Sequence, residues 1–269
     1  MVERVQELGV VPEAEWLSVT WVGHSTVLVE ADGVRLLTDP LLRRRLGHVV
    51  FRVAPEAAPL EQELDAVLIS HVHFDHLHVP SLRRVRARRL VVPRGAKGIL
   101  ERRGFGPVVE VDEGEELSFG RLTVSATHAV HPARRGVRGR PTPSLGYLIS
   151  GPARLYFAGD TDVFEGMREL APLDVALLPI WGWGPRVGRG HLDPQGAAEA
   201  LRLLRPRIAI PVHWGTYLRI GLNREAAALR EPAERFRRLA AEIAPEVDVR
   251  ILAPGERVAF DAATADGPR

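Results

Sequence analysis

The stretch Ser70-His71-Val72-His73-Phe74-Asp75-His76-Leu77 constrains this chain more than any other. It follows Ala66 to Ile69, a short apolar run that reads as a buried strand. Three imidazoles and a carboxylate then fall within six residues. Side chains alternate along an extended chain, so His71 and His73 can face the same side. Asp75 and His76 lie slightly further on, where the chain begins to bend toward a helix. The H-x-H-x-D-H order therefore offers two ligand pairs aimed at neighbouring points. Two adjacent metal ions are the simple reading of that arrangement. A lone histidine is usually structural, but three of the chain's ten histidines with an aspartate in this order mark a metal or catalytic cluster.

The same residues carry a resemblance. H-x-H-x-D-H is similar to the signature of the metallo-β-lactamase superfamily of metallohydrolases. The resemblance implies an α+β fold, a four-layer αββα sandwich with a one- or two-metal site at one edge of its two sheets. It assigns His71 and His73 to metal site one, and Asp75 and His76 to metal site two. Upstream, Trp21 to Glu30 (W-V-G-H-S-T-V-L-V-E) and Thr38-Asp39-Pro40 resemble the subgroup that contains N-acyl-phosphatidylethanolamine phospholipase D and the ascorbate-6-phosphate lactonases.

The rest of the chain reads as alternating short strands and helices. Ser18 to Val22, Thr26 to Glu30 and Val34 to Leu37 are β-rich, with a hairpin signal at Ala31-Asp32-Gly33. Arg43 to Pro59 has no periodicity and reads as a loop, with His48 on the surface. His78 is also expected at the surface, before a helix from Pro80 to about Arg88. Strands are expected at Leu90 to Val92, Val108 to Asp112, Leu117 to Phe119 and Leu122 to Thr127, with a helix over Gly95 to Arg103. Further strands are Leu145 to Ser150, Arg154 to Ala158, Asp174 to Pro179, Arg207 to Val212, Val247 to Leu252 and Arg257 to Phe260. Asp162 is expected to cap a helix over Val163 to Leu170, Pro194 to open one ending at Leu204, and Asn223 to Ala244 to form one or two closing helices. No linker or repeat divides the chain, and the resemblance runs in order over about residues 18 to 260. A single domain over residues 1–269 is expected.

Four later segments complete the candidate site. In Thr127-His128-Ala129-Val130-His131, either histidine can be the next ligand on spacing alone. The resemblance favours His131, the last of its run, with His128 packed behind it. Gly159-Asp160-Thr161 falls between a buried strand and a helix start. There the resemblance makes Asp160 the ligand that bridges both ions. Gly190-His191-Leu192-Asp193-Pro194 resembles the segment whose histidine faces the metals without ligating them, so His191 is expected to touch substrate or leaving group. His213, at the end of a strand, matches the last ligand of site two. The implied ligand set is His71, His73, Asp75, His76, His131, Asp160 and His213, and Asp75, Asp160 and His191 are the candidate catalytic residues. Asp39 and His24 are candidates for orienting a ligand. Trp181 and Trp183 could wall a pocket or plug the sandwich edge.

Composition narrows the chemistry. Cysteine is absent, so no thiolate serves as ligand or nucleophile and no disulfide exists, which is compatible with a reducing cytoplasm. No nucleophile elbow surrounds any serine. Two Zn2+ ions are expected, with Mn2+ or Fe as alternatives. They would share a hydroxide that attacks a small phosphodiester or phosphorylated lactone. No apolar run is long enough to span a bilayer and no signal peptide is seen, so a cytoplasmic protein without a membrane span is expected. The extensions of a membrane phospholipase are not seen either, which favours a small anionic substrate. A net charge of +2 is no general signal for polyanions, and nucleic acid is not the expected partner. Arginines 43–45 and 134–140 lie near candidate site loops, and the run 83–89 reads as a solvated helix face. The alternatives are a nucleic-acid-processing metallohydrolase and a di-iron redox or sensor protein.

Overall fold

Burial on both faces of the strands dictates the layering. Ala66 and Leu68 of the strand Ala66–Leu68 join the large core between two sheets, while Val67 and Ile69 join a second apolar cluster on the outer side. The neighbours follow suit: Leu36 and Val91 point inward, Leu37, Leu90 and Val92 outward. Strands apolar on both faces need cover on both, and helices supply it. The computed structural model describes residues 17–47, 50–53, 60–183, 187–222 and 225–260.

Two seven-stranded mixed sheets pack face to face. The first runs Arg257–Phe260, Leu17–Gly23, Thr26–Ala31, Val34–Thr38, Ala66–Leu68, Leu90–Pro93, Val108–Val111. The second runs Asp248–Val249, Pro206–Val212, Leu173–Pro179, Arg154–Phe157, Leu145–Ser150, Leu122–His128, Glu116–Phe119. Short helices Val79–Leu82 and Lys97–Glu101 bury Leu82 and Leu100 in the outer cluster of the first sheet. Helices Pro194–Leu204 and Ala226–Ile243 cover the second sheet with Ala197, Leu201, Leu204, Ala233, Phe236 and Ala240. Asp193 caps the former by accepting from the Gly196 N–H at 2.8 Å, with Pro194 in its first turn. The αββα order is the expected one. No helix among the described residues is long and apolar enough to cross a membrane.

The topology places the site. Val34–Thr38, Ala66–Leu68 and Leu90–Pro93 run parallel in one sheet, and Arg154–Phe157, Leu173–Pro179 and Pro206–Val212 run parallel in the other. Their carboxyl ends release Asp39, Ser70 to His76, Asp160, Trp181 and His213. Ligand sites gather at such ends.

Several local expectations are corrected. The helix after the histidine motif stops at Leu82, because the backbone beyond it is committed elsewhere. Leu64 bonds to the Arg86 carbonyl and the Arg88 N–H, a bridge incompatible with continued helix. The helix expected behind Asp162 is a 3-10 turn over Glu165–Leu170, with Phe164 at its cap position. The Asp162 carboxylate accepts from the adjacent Val163 N–H rather than from a helix turn, and its own N–H bonds to the Val130 carbonyl. Inside the expected loop 43–59, Arg45–Leu46 pairs with Val50–Arg52. That strand also pairs with Tyr217–Arg219, for which no strand was expected. Tyr217 drives this by burying its ring and donating from its hydroxyl to the Leu41 and Arg43 carbonyls. The strand near the C-terminal end is reduced to Asp248–Val249, and the closing helix is a single one despite Pro232. His48 lies outside the described residues.

Candidate metal centre

Loops from both sheets meet at one edge of the sandwich. Their backbones are bent to do so: of the non-glycine residues with positive φ, His24 (56°), Asp39 (31°) and His213 (62°) all lie here. Such conformations cost of order 1–3 kcal/mol each, and they persist where surrounding structure holds them. Gly159, at φ 61°, delivers Asp160 through a gap too narrow for a side chain: a Cβ there would stand 2.7 Å from Ser70 Cβ and 2.9 Å from the Leu145 carbonyl.

The seven expected ligands come together in two groups. In the first, His73 Nδ1 lies 2.9 Å from His71 Nε2 and 3.0 Å from His131 Nε2. In the second, Asp75 Oδ2 lies 3.5 Å from His76 Nε2 and 3.6 Å from His213 Nε2. Asp160 stands between them. Its Oδ2 is 3.1 Å from His76 Nε2 and 3.9 Å from His71 Nε2, and its Oδ1 is 3.5 Å from His213 Nε2. Donors bound to one Zn2+ at 2.0–2.2 Å are separated by roughly 3–3.5 Å, so these spacings suit cations.

The remaining ring nitrogens are spoken for. His76 donates from Nδ1 to Asp39 Oδ2 at 2.7 Å, His131 from Nδ1 to the Gly190 carbonyl at 2.7 Å, and His213 from Nδ1 to the Trp181 carbonyl at 2.8 Å. His71 Nδ1 meets Ser70 Oγ at 3.0 Å, and Asp39 itself accepts from the Ser70 N–H and hydroxyl. Each bond puts the proton on Nδ1 and leaves the Nε2 lone pair aimed at the centre. His76 Nε2, His213 Nε2 and Asp160 Oδ1 are buried without a hydrogen-bond partner. Unsatisfied buried acceptors converging on one point fit a cation that would satisfy them together. Zinc, manganese and iron all accept this N/O donor set.

Electrostatics agree. Burial pushes His71 well below the ordinary imidazole range and His131 down to about 4, so both are neutral at pH 7. Burial would raise Asp75, but the neighbouring imidazoles of His76, His213 and His24 hold it well below the usual carboxylate range. Burial would raise Asp160 too, and His213 and His76 hold it down in the same way. His76 is the exception: burial would lower it, but Asp160, Asp75 and Asp39 hold it well above its ordinary value, so an ion at its Nε2 has to displace a proton.

Two other residues differ from expectation, and two tryptophans left open between pocket wall and edge plug take their places. His128 is not packed behind His131. It is half exposed, pairs with Glu113 at 2.8 Å and meets the edge of Phe164. His78 is buried rather than at the surface, and its Nδ1 meets Ser81 Oγ at 2.7 Å while that hydroxyl also accepts from the Leu42 N–H. Trp181 is buried and lends His213 its carbonyl. Trp183 packs on the cluster of Leu41, Leu46, Val50 and Tyr217, plugging the edge.

His191 does face the centre, with Nε2 3.4 Å from Asp160 Oδ2 and its side chain a quarter exposed. Asp39 and His24 each bond to a candidate ligand, His24 through Nε2 to Asp75 Oδ2 at 3.0 Å.

Sequence reasoning missed Arg135. It belongs to the arginine run 134–140 expected near the site loops, and it turns inward onto the histidine loop itself. Its Nη1 donates to the carbonyls of Val72 (2.9 Å), His73 (3.2 Å) and Leu77 (2.6 Å), and its guanidinium lies 4.0 Å over the Phe74 ring. It clamps both ends of the histidine loop, and three carbonyls would lose a charged donor without it. Arg135→Ala should therefore destabilise the protein by about 3 kcal/mol and weaken metal uptake. An unchanged melting temperature would remove the clamp from this account.

A family model described as "Beta-lactamase superfamily domain" matches residues 34–214. A metal-dependent hydrolase of the UPF0173 group from Methanopyrus kandleri is 34% identical over 255 residues, covering 89% of this chain and 98% of that one. The N-acyl-phosphatidylethanolamine-hydrolyzing phospholipase D 1 of Caenorhabditis elegans is 34% identical over 229 residues, covering 75% of this chain; the chain spans 64% of its length. The structure of a metallo hydrolase from the archaeon Ignicoccus hospitalis superposes with a TM-score of 0.67 at 27% identity, covering 91% of this chain and 98% of that one. With the model laid across both sheets and the histidine motif inside it, this chain belongs to the metallo-β-lactamase superfamily.

Proposed function

We propose that this metal-dependent hydrolase holds two ions, one on His71, His73 and His131 and the other on Asp75, His76 and His213, with Asp160 shared between them. The observation that carries the reading is Asp160: its two oxygens face donors of both groups, and one of them is buried with no hydrogen-bond partner. When bound, such ions lower the pKa of a coordinated water to about 7 and stabilise the negative charge that develops on the substrate. The chain's own residues do the rest. Nδ1 bonds to Asp39, Gly190 and Trp181 hold three imidazoles in their aligned tautomers. His191 is placed to contact the leaving group from the open side.

Beside His131 lies a cavity of ≈ 450 Å³, whose lining includes Arg134, Thr142, Ser144 and the prolines Pro132, Pro141 and Pro143. Arg134 is the arginine of that lining, which also holds the carboxylates of Asp112 and Glu113, so the cavity offers room for a small substrate without selecting its charge. A small phosphodiester or phosphorylated lactone is the substrate class we favour. The worm relative is named for hydrolysing N-acyl-phosphatidylethanolamine, itself a phosphodiester.

Metal analysis of the purified protein, then assays on bis-p-nitrophenyl phosphate, lactones and phosphorylated lactones, test the reading. Two equivalents of zinc with phosphodiester or phospholactone turnover support it. A visible absorption band from a ferric pair, or steeply salt-dependent binding to a random oligonucleotide, would transfer the protein to redox or nucleic-acid chemistry.

A further inference from the structure

The turn between the strands Leu17–Gly23 and Thr26–Ala31 is held more firmly than a short connection needs. His24 adopts φ 56°. Its N–H donates to Thr216 Oγ1 at 3.1 Å, and its carbonyl accepts from the His213 N–H at 2.9 Å and from Trp21 Nε1–H at 2.8 Å. Gly23 before it has φ 129°, and a Cβ there would stand 2.8 Å from Thr216 Cγ2. Trp21 stacks on Trp214 with centroids 5.0 Å apart. Every one of these contacts joins the first sheet to the loop of the second sheet that carries His213, apart from the Trp21 bond to His24 itself.

The side chain makes the same join inside the site. The imidazole is buried, with 1% exposure. Nε2 lies 3.0 Å from Asp75 Oδ2, and the ring packs tilted against that of His213, 3.8 Å between centroids. His24 thus touches two donors of one candidate site, one from each half of the chain. The group of His71, His73 and His131 is a separate one. An Nε2 that gives its hydrogen to Asp75 has no lone pair left for a cation. That argues for support rather than ligation, although His24 lies close enough to Asp75, His76 and His213 to be grouped with them.

We propose that His24 is a positioning residue for metal site two alone: its Nε2–H fixes the Asp75 carboxylate and its ring braces His213, so both donors stand ready before an ion arrives. The inference rests on the two-metal reading above. It predicts an asymmetry that a general packing role would not produce, because losing His24 leaves site one untouched.

The experiment is Co2+ titration of the metal-stripped full chain, followed by visible absorption and calorimetry. Asn is at ease in left-handed backbone but too short to reach Asp75, whereas Gln keeps an N–H near the reach of Nε2. His24→Asn should bind the first equivalent as the parent does and the second about 10–100-fold more weakly. His24→Gln should recover most of that loss. His24→Gly, which adopts φ 56° without strain, gives the same comparison should His24→Asn not fold. Two equivalents of parental affinity in His24→Asn, equal weakening of both, or a glutamine variant no better than asparagine would each overturn the proposal. A parent chain that takes up fewer than two equivalents overturns the two-metal reading first, and this inference with it.

Discussion

The Asp160→Ala protein should fold, yet purify nearly free of metal and lose hydrolytic activity by more than about 1,000-fold, which is over about 4 kcal/mol of barrier. The reason is its place between the two groups. Any one histidine serves a single group, so its loss should leave the other ion bound. Asp160 alone has oxygens toward both: Oδ2 toward His71 and His76, Oδ1 toward His213. Its removal also takes away a buried anion that His213 and His76 stabilise. Metal content by plasma emission, with circular dichroism to check folding, reads the result. A folded Asp160→Ala protein carrying the parent's metal would sink the shared-ligand assignment.

The second large effect separates two neighbours. His131→Ala should lose the ion of the first group and with it the activity, while His128→Ala should keep both. His131 is buried, its Nδ1 committed to the Gly190 carbonyl and its Nε2 3.0 Å from His73 Nδ1. His128 ends its strand pointing away, half exposed and paired with Glu113. An exposed pair of that kind is worth at most about 1 kcal/mol. Parallel metal analysis and assay of the two variants decide it. Metal lost from His128→Ala and retained in His131→Ala would reverse the choice.

Much of this was legible in the sequence because the informative residues are local. The run Ala66 to Ile69 is apolar at consecutive positions, as a strand covered on both sides is, and the structure buries it on both sides. H-x-H-x-D-H needs no tertiary information to be read as a ligand cluster. What stayed hidden was settled by partners distant in the chain. Arg135 looked like surface charge because its acceptors, the carbonyls of Val72, His73 and Leu77, lie some 60 residues upstream. His78 looked exposed because the hydroxyl it meets, Ser81 Oγ, is buried under a loop bonded through Leu42. The helix after Pro80 looked longer because sequence does not show that Leu64 takes the backbone bonds of Arg86 and Arg88. Asp162 looked like a cap because the cap rule ignores the Val130 carbonyl that claims its N–H.

The way the donors are divided along the chain has a consequence for how the protein is made. Residues 71 to 76 leave the ribosome early, but neither proposed site is complete until Asp160 and, for the second, His213 have followed. A nascent fragment ending before residue 160 would carry His71, His73, Asp75, His76 and His131 without the shared carboxylate of Asp160, and so would hold a cation more loosely. Selective loading must therefore await the second sheet, and each captured ion would rivet the early half of the polypeptide to the late half.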